Sequence, residues 1–178
     1  MECRMSNTIQ AGTWSVEPTR STAAFSVRNM IFKTVHGRFP IVSAEVSVGA
    51  DGVPRSVTAT LDAAGFSTDH AKRDTHVRGQ DFLHTDAHPE LTFRSTAVVP
   101  QEPGTWLVKG RLTLREVTSE VHLTVRAEQN GDDTAEVVAT TVLDRRAAGL
   151  GYGPSFLVGR KVAVQLDLTL HRSSEHSV

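Results

Sequence analysis

Histidine is the side chain grouped closely enough in this sequence to suggest chemistry. His70, His76, His84 and His88 fall within 19 positions, and the His84-x-x-x-His88 spacing is one that zinc sites use. Two features work against a metal centre. The helical His-Glu-x-x-His form is absent, and Pro89 pushes His88 out of the helical geometry that would bring both imidazoles to one face. Cys3, the single cysteine, is remote in sequence. A metal-assisted hydrolase using the His70–His88 region is therefore one reading. Loop histidines that hydrogen-bond to their neighbours are the simpler one, with no metal and no other cofactor.

Other catalytic patterns are missing. No Gly-x-Ser-x-Gly elbow presents a nucleophile, and no Walker-type loop cradles phosphate. Gly149-Leu-Gly-Tyr-Gly153 lacks the spacing of a dinucleotide fingerprint. The expectation is a protein without enzymatic activity. Cationic groups gather in two stretches instead: Arg28, Lys33, His36 and Arg38, then Lys72, Arg73, His76 and Arg78. Solvated surface accounts for them. If both stretches lie at the mouth of a barrel, they attract an anionic head group, with Arg28, His36, Arg73 and His76 as the candidates.

The elements that must position these groups are strands. Of 178 residues, 22 are valine and 20 threonine, β-branched types that favour extended chain. Period-2 alternation recurs, for example Val42-Ala44-Val46-Val48 against Ser43-Glu45-Ser47, and Val162 to Leu170 against Ala163 to Thr169. Similar runs lie at 12–16, 23–28, 57–62, 91–97, 106–114, 121–126 and 134–143. One apolar and one wet face per strand is the antiparallel signature. One stretch reads as helical: Ser67-Thr68-Asp69 offers an N-cap, and His70–Arg78 runs to Gly79, with Asp69 and Arg73 at i,i+4 spacing. A second helical piece around Arg28–Val35 would make a short pair. The chain is expected to be mainly β, about eight strands with one or two short helices. Residues 12–171 form a single domain between a flexible tail at 1–11 and a polar tail at 172–178.

Composition bounds the partners. A net charge of −1 excludes a strongly basic nucleic-acid binder. Apolar runs as short as Met30-Ile31-Phe32 exclude stable insertion by a spanning helix. The lone cysteine and a start without an apolar leader-like stretch suggest the cytoplasm. Small inward residues such as Ala44, Ala59, Ala97, Gly110 and Ala139 leave two architectures open. A barrel lined by them encloses a cavity, whereas two sheets in a sandwich use alanines for close approach.

Several segments then resemble a known family. Trp14-Ser-Val-Glu-Pro18, Phe25-Ser-Val-Arg28, Gly37-Arg-Phe39, Arg73-Asp-Thr-His-Val-Arg78, Asp81-Phe-Leu83, His88-Pro-Glu-Leu-Thr-Phe93 and Gly110-Arg-Leu-Thr-Leu114 occur in this order. Together they resemble the YceI-like family of bacterial lipid-binding proteins, over about Gly12 to Leu170. The resemblance implies an extended antiparallel, lipocalin-like β-barrel whose interior takes a long apolar chain, polyisoprenoids being the ligands associated with the family. The chain departs from the family pattern at Arg20-Ser21, Arg28-Asn29 and Ala148-Gly149.

The leading function is thus non-catalytic carriage or sequestration of a long-chain isoprenoid or fatty-acid-like amphiphile. A metal-assisted hydrolase and a filled-core β-sandwich interaction module are the alternatives, and a homodimer is compatible with each. The expected apolar lining is Phe25, Val27, Phe39, Val46, Val57, Leu61, Phe82, Phe93, Val108, Leu112, Val121, Leu123, Val164 and Leu166. Asp74 is expected to serve structure, since an acid is a poor partner for an anionic head.

Overall fold

The β-branched runs become ten antiparallel strands in a computed structural model that describes residues 9–29, 34–80, 82–149 and 158–173. They are β1 (Gly12–Val16), β2 (Thr22–Asn29), β3 (Thr34–Phe39), β4 (Ile41–Val48), β5 (Pro54–Asp62), β6 (Glu90–Pro100), β7 (Thr105–Leu114), β8 (Val117–Gln129), β9 (Thr134–Asp144) and β10 (Val158–Arg172). One helix, α1 (Ala71–Arg78), interrupts them between β5 and β6, and a 3-10 turn covers Pro18–Arg20.

Closure comes from β10. One of its edges pairs with β9 over Lys161–His171. The other pairs first with β2 over Val158–Asp167 and then with β1 over Leu170–Arg172. Between these two partners the Glu17–Ser21 turn is tied to Thr169. Glu17 N–H donates to its carbonyl at 2.8 Å, and the Thr169 N–H donates to Ser21 Oγ at 2.9 Å. With β1 also paired to β4, the ring β1-β4-β5-β6-β7-β8-β9-β10 closes on itself. This is an eight-stranded barrel and not a sandwich, because closure removes both sheet edges.

The hairpin β2–β3 extends the wall beyond β1 and β4. Its outer strand, β3, meets no further strand among the described residues. Arg38 exchanges backbone hydrogen bonds with Ser67 at 2.9 and 3.1 Å, and that bridge docks residues 63–89 against the gap. The base of this insert is pinched by Ala63 N–H donating to the Pro89 carbonyl at 2.8 Å.

Among its described residues the insert holds one helix; of the second piece expected around Arg28–Val35, 28–29 and 34–35 are strand, and 30–33 lie outside the described residues. The helix starts one residue later than the sequence suggests. His70 is the N-cap, its Nδ1 accepting from the Arg73 N–H at 3.2 Å. Asp69 adopts a left-handed φ of 60° and binds Arg38 across the gap at 3.1 and 3.2 Å, not Arg73. The tail boundaries also shift. Ile9 is buried with Trp14, while Arg172 pairs with Trp14 and binds Asp133 at 2.9 Å.

Two apolar cores follow. One gathers Trp14, Val48, Trp106, Val108, Val121, Leu123, Val137 and Leu170 inside the ring. The other gathers Ala63, Phe66, Leu83, Leu91, Leu114 and Ala148 beneath the insert. Two buried glycines shape the interior. A Cβ on Gly37 would collide with the Phe25 ring and lie 2.9 Å from Thr68 Cγ2; on Gly110 it would strike the Phe93 ring and the Arg94 carbonyl at 2.6 Å. Each glycine therefore lets an aromatic ring lie flat across its strand.

Candidate functional site: an apolar cavity in the barrel

Alternation turns one face of each barrel strand inward, and the enclosed space is not filled. A cavity of about 160 Å³ remains. Its lining follows β10 from Val164 to Leu170, about 20 Å of strand, so the void is long and thin. Trp14, Trp106 and Ile9 border it at one end; Phe25, Phe39, Leu61 and Leu91 border it toward the insert. Among the described residues no acidic or basic side chain belongs to the lining, and the hydroxyl-bearing members are Thr92 and Thr141. The Thr141 hydroxyl is already donated to the His122 carbonyl at 2.8 Å. Small residues make the room: Ala44, Ala59, Ala127, Ala135 and Ala139 all line it.

Of the fourteen expected lining residues, Phe25, Phe39, Val46, Val57, Leu61, Phe93, Val108, Leu112, Val121, Leu123, Val164 and Leu166 border the cavity. Val27 and Phe82 do not. Val27 shares the inward phase of β2 but sits further toward the hairpin, paired with Val35 and Val162. Phe82 follows the helix on the insert, its ring 5.3 Å from that of His76 in an edge-on arrangement. Sequence reading left out Trp14, Trp106, Val137, Leu168 and Leu170 as lining. The alternation of the 106–114, 134–143 and 162–170 runs carried that signal for all but Trp14.

The four head-group candidates are dispersed. Arg28 and His36 are exposed, on β2 and β3, and His36 borders a shallow groove on the outer wall with Ser26 and Ala163. Arg73 is bound within the insert, its Nε donating to Thr68 Oγ1 at 2.8 Å and Nη2 to the Thr68 carbonyl at 3.3 Å. His76 is exposed on α1. None of the four borders the cavity.

Asp74 is buried in the first turn of α1. Its carboxylate accepts from the Thr68 N–H at 3.0 Å, from the Thr68 hydroxyl, and from the His70 N–H at 3.4 Å. Burial works against its charged form, yet the Thr68 and His70 hydrogen bonds and the charge of Arg78 outweigh it. They hold the carboxyl below the ordinary carboxylate range. The geometry gives Asp74 the task of tying the helix to the loop before it.

The histidines form no donor cluster. His84 and His88 rings meet edge-on at 5.6 Å, and no group of three or more His, Cys, Asp or Glu side chains is placed to hold a metal among the described residues.

A closed antiparallel barrel with a covered end and an apolar, unfilled interior is a lipocalin-like architecture. The YceI-like domain model matches residues 14–170, and the chain belongs to that family. A UPF0312 protein of Vibrio parahaemolyticus is 32% identical over 126 residues, 67% of each chain. A UPF0312 protein of Shewanella oneidensis is 32% identical over 118 residues, 66% of this chain and 62% of the relative, so the match spans less than two thirds of that relative's length. Among solved structures, Burkholderia cenocepacia BcnA superposes with a TM-score of 0.79 at 24% identity, covering 86% of this chain and 98% of its own. A polyisoprenoid-binding domain from Saccharophagus degradans, implicated in plant cell wall breakdown, does so with a TM-score of 0.71 at 14% identity, covering 90% and 98%. At these identities the superpositions establish a shared fold.

Proposed function

We propose that this protein binds a long, mostly apolar chain inside the barrel, as a non-catalytic carrier or sequestering protein for an isoprenoid or another long-chain amphiphile. The observation that carries this reading is the wall itself: a cavity of about 160 Å³ inside the barrel, with no titratable side chain among the described residues that line it. Apolar cavities stay dry, and lining atoms that face a void forfeit dispersion contacts. A hydrocarbon chain restores those contacts at no cost in polar desolvation. The binding named for the Saccharophagus degradans neighbour supports the same class of ligand.

The test is a titration with isoprenoid alcohols of increasing length, alongside mass spectrometry of an organic extract of the purified protein. At ~0.3 kcal/mol per heavy atom, each five-carbon unit should tighten binding about tenfold until the cavity is full. Two neighbouring valines check the face. Val137 is buried in the lining and Val138 is exposed, so Val137→Glu should abolish binding and Val138→Glu should leave it intact. If Val137→Glu does not fold, the length series decides alone. Equal binding of short and long chains, or full binding by folded Val137→Glu, overturns the reading.

A further inference from the structure

The outer wall of β5–β8 carries a charge arrangement that neither the cavity nor the fold requires. The registers place Thr58, Arg94, Arg111 and Glu120 in one row across the four strands. Arg94 and Arg111 are thus directly opposite each other, and both are exposed. Like charges in that relation repel. Five other arginines are ion-paired, Arg20 with Glu17, Arg38 with Asp69, Arg55 with Asp51, Arg160 with Asp144 and Arg172 with Asp133, whereas the exposed Arg28, Arg126 and Arg146 stand apart from one another in the strand order and make no such row. Neither Arg94 nor Arg111 belongs to an ion pair within 4.0 Å among the described residues. The one acid in the row, Glu120, is bound to His122 at 3.0 Å, and Lys109 adds a third positive charge nearby.

The surroundings suit an oxyanion. Arg94 and Arg111 border a depression of about 410 Å³ with Thr58, Thr60, Thr92, Thr96, Thr113 and Thr118. Thr96 donates to the Lys109 carbonyl at 3.3 Å, and Thr113 and Thr118 share a hydrogen bond at 3.1 Å. A β-bulge between Ser95 and Ala97 lies beside Arg94, and bulges re-aim the side chains next to them.

We propose that Arg94 and Arg111 form an anion site on the outer wall that takes a phosphate monoester, with the Thr58 and Thr60 hydroxyls beside them as additional donors. Two guanidinium forks supply two positive charges and paired N–H groups that match phosphate oxygens. A monoester at neutral pH carries a charge of about −1.5 to −2. It balances both guanidinium charges, whereas a monoanionic carboxylate balances one. The phosphate can come from a soluble ester or from a lipid head group at a membrane surface; the chemistry recognised is the same. Arg94 and Arg111 belong to the depression and not to the cavity lining, although Thr92 borders both.

The experiment uses the full chain. Glycerol phosphate is titrated by calorimetry, and the protein is co-sedimented with phosphatidylcholine vesicles with and without phosphatidic acid. Arg94→Gln and Arg111→Gln should each weaken binding at least tenfold, Arg94→Lys should fall between, and Arg55→Gln, with the same charge change elsewhere, should bind like the parent. Binding of glycerol phosphate without sedimentation identifies a soluble ester; sedimentation only with phosphatidic acid identifies a lipid head group. Binding to neither probe, or an equal loss in Arg55→Gln, overturns the proposal. All three side chains are exposed, so the variants should fold, and circular dichroism verifies it.

Discussion

The two ends of the barrel are closed by different physics. At one end Trp14, fully buried, meets Trp106, Ile9, Val48 and Leu170, and the strands that carry them are joined by continuous ladders through β1, β4 and β10. At the other end the covering residues Ala63, Phe66 and Leu83 come from the insert. The insert meets the wall through the Arg38–Ser67 backbone bridge and through side-chain bonds, and one further bond ties it internally. Within it Arg78 Nη2 donates to the Phe66 carbonyl at 2.6 Å, and from the wall Arg115 Nη1 donates to the Phe82 carbonyl at 3.1 Å. The first end is part of the sheet, whereas the second is a cap laid on it. Opening the cap breaks few backbone bonds, while opening the tryptophan end breaks the ring.

The largest effect should come from breaking the ring. Trp14→Ala removes a fully buried indole and the Nε1–H bond to the Gln10 carbonyl at 3.0 Å. It should cost ~3–5 kcal/mol in urea unfolding and shift the whole protein as one transition. A loss below 1 kcal/mol would mean that this end is not the structural anchor.

Disturbing the cap should do less and should depend on pH. Asp74→Ala deprives the Thr68 and His70 groups of their buried acceptor and should cost ~1–3 kcal/mol at neutral pH. The folded-state pKa of Asp74 is lowered. Its contribution is therefore present above the unfolded value near 3.9 and lost as pH falls through the folded one. The difference between parent and variant should shrink below about pH 4, and a difference that grows there would contradict the assignment. Hydrogen exchange should also rise first at Leu83 and Thr85, whose N–H groups bind the Val77 and Arg78 carbonyls, and not in β7 or β8.

The smallest effect belongs to the exposed strap between cap and wall. Both partners of the Arg38–Asp69 pair are largely exposed. The hydrogen bond and charge of Arg38 lower the Asp69 pKa, but solvent and salt screen such pairs. Arg38→Gln should leave the unfolding midpoint unchanged within error, because the Arg38–Ser67 backbone bridge survives. A shift as large as that of Asp74→Ala would make the strap, not the buried carboxylate, the fastening of the cap.

Much of this was readable from residue order. The 162–170 run is inward at Val164, Leu166, Leu168 and Leu170, as its alternation requires, and the same holds for Val121 and Leu123. Arg73-Asp-Thr-His-Val-Arg78 reads as a helix and is one. The head-group candidates do not gather in one place, because proximity in sequence does not fix proximity in space. Arg73 turns back onto Thr68 and His36 faces outward, and only three-dimensional packing decides either direction. Phe82, expected in the lining, lies on the insert beside His76.

Local chemistry determined the faces of the strands: side chains alternate with period two, so apolar and polar positions separate whatever the strand later pairs with. It also determined the helix and the absence of a catalytic constellation of recognised spacing. Only the tertiary structure decided that β10 shares one edge between β2 and β1, which makes a barrel and not a sandwich. It alone decided that Arg94 faces Arg111. Both depend on register between segments far apart in the chain, and period-two alternation is equally satisfied by any register shifted by two residues.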